Sequence, residues 1–310
     1  MNDLNAWSGV LACPLDHTPL TLTDGNWRCP TCGFENASTE VKGRAIPDCR
    51  ALDRPQMVAV NFQIPVKPLD RKAVAQNYFK AISQDFPHLS RRDIRQQFGT
   101  KLDKGIQFYC QQLWREVGTD AVILDLGCGS GGNRRYLQSL GFKNILTVDW
   151  IAAGADLLVD AHRLPLASAG FDMVISTAVF EHLYNPFIAI GEIGRVLKTG
   201  GCFVGGASFW EGWHGSSYFH LTPDGWNALF GHGGLLLDDV WPGWGIIPAA
   251  FSYVLTPGHL RSFGYMLQSV VEGGYRLLRG ESGVRKLQLR ASGAYHVFAQ
   301  TGRSIIKIGQ

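Results

Sequence analysis

Twelve consecutive residues concentrate the chemistry of this chain. Val122-Ile-Leu-Asp-Leu-Gly-Cys-Gly-Ser-Gly-Gly-Asn133 runs an apolar stretch into an acid, Asp125, and then into Gly127, Gly129, Gly131 and Gly132. Glycine lacks a Cβ, so such a backbone turns tightly and approaches a nucleotide-like ligand closely, while the helix that follows offers free N–H groups. Gly127, Gly129 and Gly132 also satisfy G-x-G-x-x-G, which suits a dinucleotide equally well. Asp125 would repel a pyrophosphate and attract an ammonium group, which favours an adenosine ligand carrying an amino acid. Asp149, 22 residues after Gly127, is spaced to accept both hydroxyls of a ribose in either ligand class. Taken singly, Asp125 would also serve as a capping acid, Gly131 and Gly132 as turn residues, and Trp150 as a core aromatic.

Further stations follow in order: Asp160-Ala-His-Arg-Leu-Pro-Leu166, Phe171-Asp-Met-Val-Ile-Ser176, Glu181-His182-Leu183, and Arg195-Val-Leu-Lys-Thr-Gly-Gly201. With the glycine turn, this series resembles the class I S-adenosylmethionine-dependent methyltransferases of the type 11 family, over about residues 120–240 and a closing strand at 294–301. The resemblance implies that Asp125, Gly127, Gly129 and Gly131 line the methionine part of S-adenosylmethionine. It implies that Asp149 holds the ribose beside Trp150, that Asp160 and Ala161 read the adenine edge, and that Thr177 lies under the sulfonium arm. The span from Asp149 to Asp160 is shorter than the family pattern, which usually fits a full helix there.

Methyl transfer asks the protein mainly for positioning, because the sulfonium is already an activated electrophile. An oxygen or carbon acceptor also needs a base, for which the candidates are His182 and His220, with Glu181 and His214 nearby. All follow strands, at the end where open α/β sheets bind ligands. The stretch Trp210–Trp244 holds five of the nine tryptophans, suited to walling an acceptor or to filling the core.

Cys13, Cys29 and Cys32 lie in two short knuckles, the second a Cys-Pro-x-Cys-Gly. Two thiolates at that spacing grip one tetrahedral zinc. The segment resembles a Trm112-like zinc ribbon whose first knuckle is degenerate, with Asp16-His17 where a second cysteine is expected. The set expected for a structural Zn2+ is Cys13, His17, Cys29 and Cys32, with Asp16 or Cys49 as alternative fourth ligands and a metal-free ribbon as the other reading.

The elements that must position these groups follow from the hydrophobic pattern. Strands are expected at 121–126, 144–149, 157–160, 171–176, 202–207, 235–240 and 294–301, with helices at about 132–140, 181–198 and 222–230. Short apolar runs alternating with helix-length segments predict an α/β fold: a Rossmann-like seven-stranded sheet with helices on both faces. Residues 1–50 form a zinc-ribbon-like head, 51–118 a linker and helical cap, and 119–310 the main domain with an insertion at about 241–292.

With 45% hydrophobic and 18% charged residues, the 310-residue chain can bury a core, which excludes global disorder. A net charge of +3 does not mark a nucleic-acid binder. The basic residues gather late, with Arg261, Arg276, Arg279, Arg285, Lys286, Arg290, Arg303 and Lys307 against Glu272 and Glu281 after position 260. The start carries no secretory pattern, no apolar run reaches the roughly 20 residues of a membrane span, and the odd, clustered cysteines suit a reducing compartment. A cytoplasmic protein without a membrane span is expected. Its expected activity is methyl transfer from S-adenosylmethionine to an oxygen or nitrogen of a small-molecule acceptor. The alternatives are an RNA base methyltransferase and a non-catalytic methyltransferase-fold binding module.

Overall fold

A computed structural model describes residues 4–53, 103–253 and 259–302. The amino-terminal part holds a 3-10 turn (Leu4–Trp7) and two hairpins, β1 (Thr21–Thr23) with β2 (Asn26–Arg28), and β3 (Ala37–Val41) with β4 (Arg44–Asp48). There follow α1 (Lys104–Val117), β5 (Val122–Leu126), α2 (Gly132–Ser139), β6 (Asn144–Asp149), β7 (Leu157–Leu158), β8 (Phe171–Thr177), a 3-10 turn (Phe180–His182), α3 (Pro186–Val196) and β9 (Leu197–Ser208). Last come α4 (Pro223–His232), β10 (Leu235–Gly245), α5 (Ile246–Tyr253), α6 (His259–Arg290), bent at Gly280, and β11 (Ser292–Thr301).

All seven expected strands form one sheet, extended to nine by the β3–β4 hairpin, in the order β10-β11-β9-β8-β5-β6-β7-β4-β3. The strands from β9 through β4 pair in parallel; β11 is antiparallel to both β9 and β10, and β3 to β4. Alternate side chains along each central strand enter opposite cores. Leu124, Leu146, Val174 and Phe203 pack with Ile190 of α3 and Trp226 of α4, whereas Ile123, Ile145, Met173 and Val204 pack with Tyr109 of α1 and Tyr136 of α2.

The amino-terminal segment joins the first of these cores. Trp7 stacks on Phe171, with centroids 6.4 Å apart, and Ala12 N–H donates to Pro165 O. The expected helical cap lies partly outside the described residues, since 54–102 are not described. Its final helix, α1, is a layer of the sheet, with Tyr109 stacked on Phe298 of β11 at 3.8 Å.

Three boundaries differ from the pattern. The expected helix at 181–198 breaks because Asn185 caps a new start, accepting from Ile188 N–H, and Pro186 takes the first turn. The expected strand at 157–160 ends at Leu158, which leaves Asp160 in the loop beyond it. At 241–292, β10 runs on to Gly245, and helices α5 (Ile246–Tyr253) and α6 (His259–Arg290) follow. Among the described residues no helix is long and apolar enough to cross a membrane.

Candidate active site

The glycine turn stands at the carboxyl end of β5. Gly127, Gly129 and Gly131 have φ of 75°, 53° and 77°, a left-handed backbone that disfavours side chains. A Cβ on Gly127 would lie 2.1 Å from Val179 Cγ2, whereas one on Gly129 would meet nothing within 4 Å, so the turn is braced at its base and open at its crest. Gly154, which the sequence did not single out, lies beneath the turn: its Cβ would fall 2.4 Å from Gly129 O and 2.7 Å from Gly131 N.

Asp125 is wholly buried. Its Oδ1 accepts from Asn133 Nδ2 at 2.9 Å, and its Oδ2 has no hydrogen-bond partner. Burial, opposed by the Asn133 hydrogen bond and Arg134, pushes the Asp125 carboxyl up to about 7. An unpaired buried carboxylate oxygen is costly unless a cation or a proton meets it. The donor set therefore fits a ligand bearing an ammonium group.

Asp149, at the end of β6, accepts from Gly129 N–H at 3.0 Å through Oδ2 and from Ile151 N–H at 3.0 Å through Oδ1. Each oxygen keeps a second lone pair for a ribose hydroxyl. Trp150 beside it is 48% exposed, with the Arg50 guanidinium 5.1 Å from its ring centroid. Arg50 donates to Trp150 O at 3.0 Å and grips Asp48 in bidentate fashion at 2.9 and 2.5 Å. Sequence reasoning missed Arg50 and Asp48, because they belong to the segment read as a separate head. The crossover from β6 to β7 contains no helix, and the β3–β4 hairpin covers that edge instead: β4 pairs with β7 at Asp48↔Leu158, and Arg44 donates to Ala153 O at 2.7 Å.

Asp160 is buried and already engaged. Burial opposes its charge, yet His162, donating from Nδ1 at 2.6 Å and from its backbone N–H at 3.0 Å, together with Arg163, holds the carboxyl below the usual range. His162 in turn stacks on Tyr184 at 4.1 Å. Ala161 is buried next to it.

Thr177 closes β8, and Ala178, a non-glycine residue at φ 55°, turns the chain into the 3-10 turn that carries Glu181 and His182. The segment after β9 folds back over this turn, with Tyr218 N–H donating to Glu181 O at 2.6 Å. His182 and His214 meet edge to face at 5.4 Å, and His214 and His220 lie 6.5 Å apart. His220 is exposed just before the expected Thr222 cap of α4, which accepts from Gly225 N–H at 3.0 Å. Of the five tryptophans, Trp226 and Trp241 are core, whereas Trp210 and Trp213 are 58% and 84% exposed on the segment that carries His214.

In the head, Cys13, Asp16, Cys29 and Cys32 bring one ligand atom each to within 4.8 Å of one another. Asp16 takes the place expected for His17. His17 has a left-handed backbone (φ 59°), and its Nε2 lies 3.6 Å from Glu192 of α3, away from the thiolates. Asp16 instead stands 3.5 Å from Cys29 Sγ, and Cys13 and Cys32 Sγ are 3.5 Å apart. Cys49, the other alternative, is buried outside this group. Three thiolates and a carboxylate are an acceptable tetrahedral set for zinc.

Residues 124–205 match a family described as methyltransferase domain. An Encephalitozoon cuniculi protein described as a methyltransferase is 37% identical over 89 residues, which are 26% of this chain and 42% of that protein. The malonyl-[acyl-carrier protein] O-methyltransferase of Enterobacter lignolyticus is 33% identical over 95 residues, 26% of this chain and 36% of that enzyme. The chain thus spans less than half the length of these relatives. A solved complex between the Haloferax volcanii Trm112 methyltransferase activator and its methyltransferase aligns with a TM-score of 0.43 and 21% identity, over 69% of this chain and 98% of that one. The glycine turn, Asp125 and Asp149 lie within the segment that matches the methyltransferase domain family.

Proposed function

We propose that the protein binds S-adenosylmethionine over the glycine turn and directs its methyl group to an oxygen or nitrogen of a small-molecule acceptor held beside His182 and His220. The observation that carries this reading is Asp125 Oδ2, buried and without a hydrogen-bond partner below a turn whose crest at Gly129 is open. When bound, S-adenosylmethionine supplies an activated methyl group whose departure leaves a neutral thioether. Asp125 meets the ammonium end, Asp149 takes the ribose hydroxyls, Trp150 flanks the adenine with Arg50 behind it, and Thr177 borders the reacting end. Asp160 acts through its loop, since His162 and Arg163 occupy its carboxylate, and the Ala161 backbone faces the adenine edge. An imidazole at the acceptor end receives the acceptor proton.

The transferase domain is assigned to 119–310 and the head to 1–50, where Cys13, Asp16, Cys29 and Cys32 would hold a structural Zn2+ that staples a segment too small for its own core. Thermal stability with and without S-adenosylmethionine or S-adenosylhomocysteine tests the reading, with Asp149→Ala in parallel. A rise in Tm that Asp149→Ala loses supports it, whereas no rise in folded, zinc-replete protein sinks it in favour of a binding module. Salt-sensitive RNA binding would instead move the acceptor to RNA.

A further inference from the structure

The turn after β8 gathers a second set of metal-ligating groups, apart from the cysteines. Glu181, His182 and His214 each bring one ligand atom to within 4.8 Å of the others. Glu181 is only 1% exposed, its Oε1 lies 2.9 Å from Ser208 Oγ, whose one proton is shared with Glu211 Oε2 at 2.6 Å, and its Oε2 is buried with no hydrogen-bond partner. Such an oxygen calls for a cation. His214 donates from Nδ1 to Gly212 O at 2.8 Å, which fixes its tautomer and ring orientation. Both supports, a hydroxyl on the carboxylate and a carbonyl on the imidazole, are the outer partners that orient metal ligands.

We propose that Glu181, His182 and His214 bind a divalent transition-metal ion, with coordination positions left open for a hydroxyl oxygen of the acceptor. Two imidazoles and one carboxylate suit Zn2+, Mn2+, Co2+ or Fe2+, and three protein ligands leave the ion open to solvent or substrate. The position is that of an acceptor subsite. Val179, two residues before Glu181, is the side chain against which Gly127 packs, so the cluster rides on the turn that braces the cofactor loop. A coordinated hydroxyl loses its proton to water far more readily than a free one. His182 is then a ligand, and His220 is the imidazole left to accept a proton. The acceptor's role rests on the proposed transferase reading; the metal site stands without it.

The test is a Co2+ titration of the full-length, zinc-loaded protein. Thiolate charge-transfer bands mark any Co2+ that enters the cysteine head, and d–d bands without them mark the Glu-His-His site. One thiolate-free Co2+ per chain is expected, weakened at least about tenfold by Glu181→Gln and by His214→Ala and unchanged by Cys32→Ser. His214→Ala keeps the test decisive if the buried Glu181→Gln chain does not fold. Co2+ bound only with thiolate bands, or binding indifferent to His214→Ala, overturns the proposal. Site-dependent Co2+ binding without any S-adenosylmethionine-induced rise in Tm leaves the metal site standing and removes the transferase reading.

Discussion

Replacing Asp125 by Asn isolates the electrostatic cost on which the cofactor reading depends. In the ligand-free protein the Asp125 carboxyl is pushed up to about 7 by burial, against about 3.9 in an unfolded chain. A folded-state pKa raised above the unfolded one means that the native protein holds a proton the unfolded chain releases. The associated stability is fully present below about pH 4 and is lost as pH rises towards 7. Three units at about 1.36 kcal/mol each make the loss about 4 kcal/mol, or on the order of 10 °C in Tm for a domain of this size. Asp125→Asn cannot ionise, so its Tm should fall less over the same window, and the difference between the two profiles should open between pH 4 and 7 and then stay constant. Asp239, which burial pushes up to about 6 and which accepts from Tyr109 at 2.8 Å, titrates in both proteins and cancels. An ammonium group opposite Asp125 restores its charge, so S-adenosylmethionine affinity should rise from pH 4 to 7 in the native protein and stay flat in Asp125→Asn. Calorimetric unfolding across pH and titration of the cofactor read the two effects. Parallel profiles in both experiments would refute the assignment of Asp125 as a buried, ligand-facing acid.

Other substitutions test the supports of the site. Gly154→Ala drives a methyl group against Gly129 O and Gly131 N, so it should displace the glycine turn and weaken S-adenosylhomocysteine binding by tenfold or more while far-UV circular dichroism stays unchanged. Arg50→Ala leaves Asp48 buried without its bidentate partner and should cost about 3 kcal/mol or more in urea unfolding, together with weaker nucleoside binding beside Trp150; full stability would mean that the hairpin does not clasp the crossover. Cys29→Ser should release zinc, measured by metal analysis, and lower Tm, whereas His17→Ala should retain the metal because His17 faces Glu192.

Much of the site was legible because its determinants are local. An apolar run ending in Asp125 and then in glycines with positive φ specifies a strand, a turn and a helix start within a dozen residues, and two-residue alternation placed Ile123 and Leu124 on opposite faces of a sheet. Asp149 and Glu181 were likewise readable from the strands that precede them, whereas Asp160, expected at a strand end, stands in the loop after Leu158. What the tertiary structure alone decided involves partners distant in sequence. The head was readable as a cysteine cluster, yet its second hairpin becomes an edge of the main sheet because the crossover from β6 to β7 has no helix to cover it. Asp16 rather than His17 turns to the thiolates because the Glu192 carboxylate of α3 lies opposite His17. Arg50 reaches Trp150 across 100 residues, and His214 reaches Glu181 only through the fold-back after β9. Periodicity and φ preference are properties of a few neighbouring residues, whereas packing is a property of whole elements, so the strands and the glycine turn were in the sequence and the clasp, the approach of Asp16 to the cysteines and the Glu-His-His cluster were decided by how the layers meet.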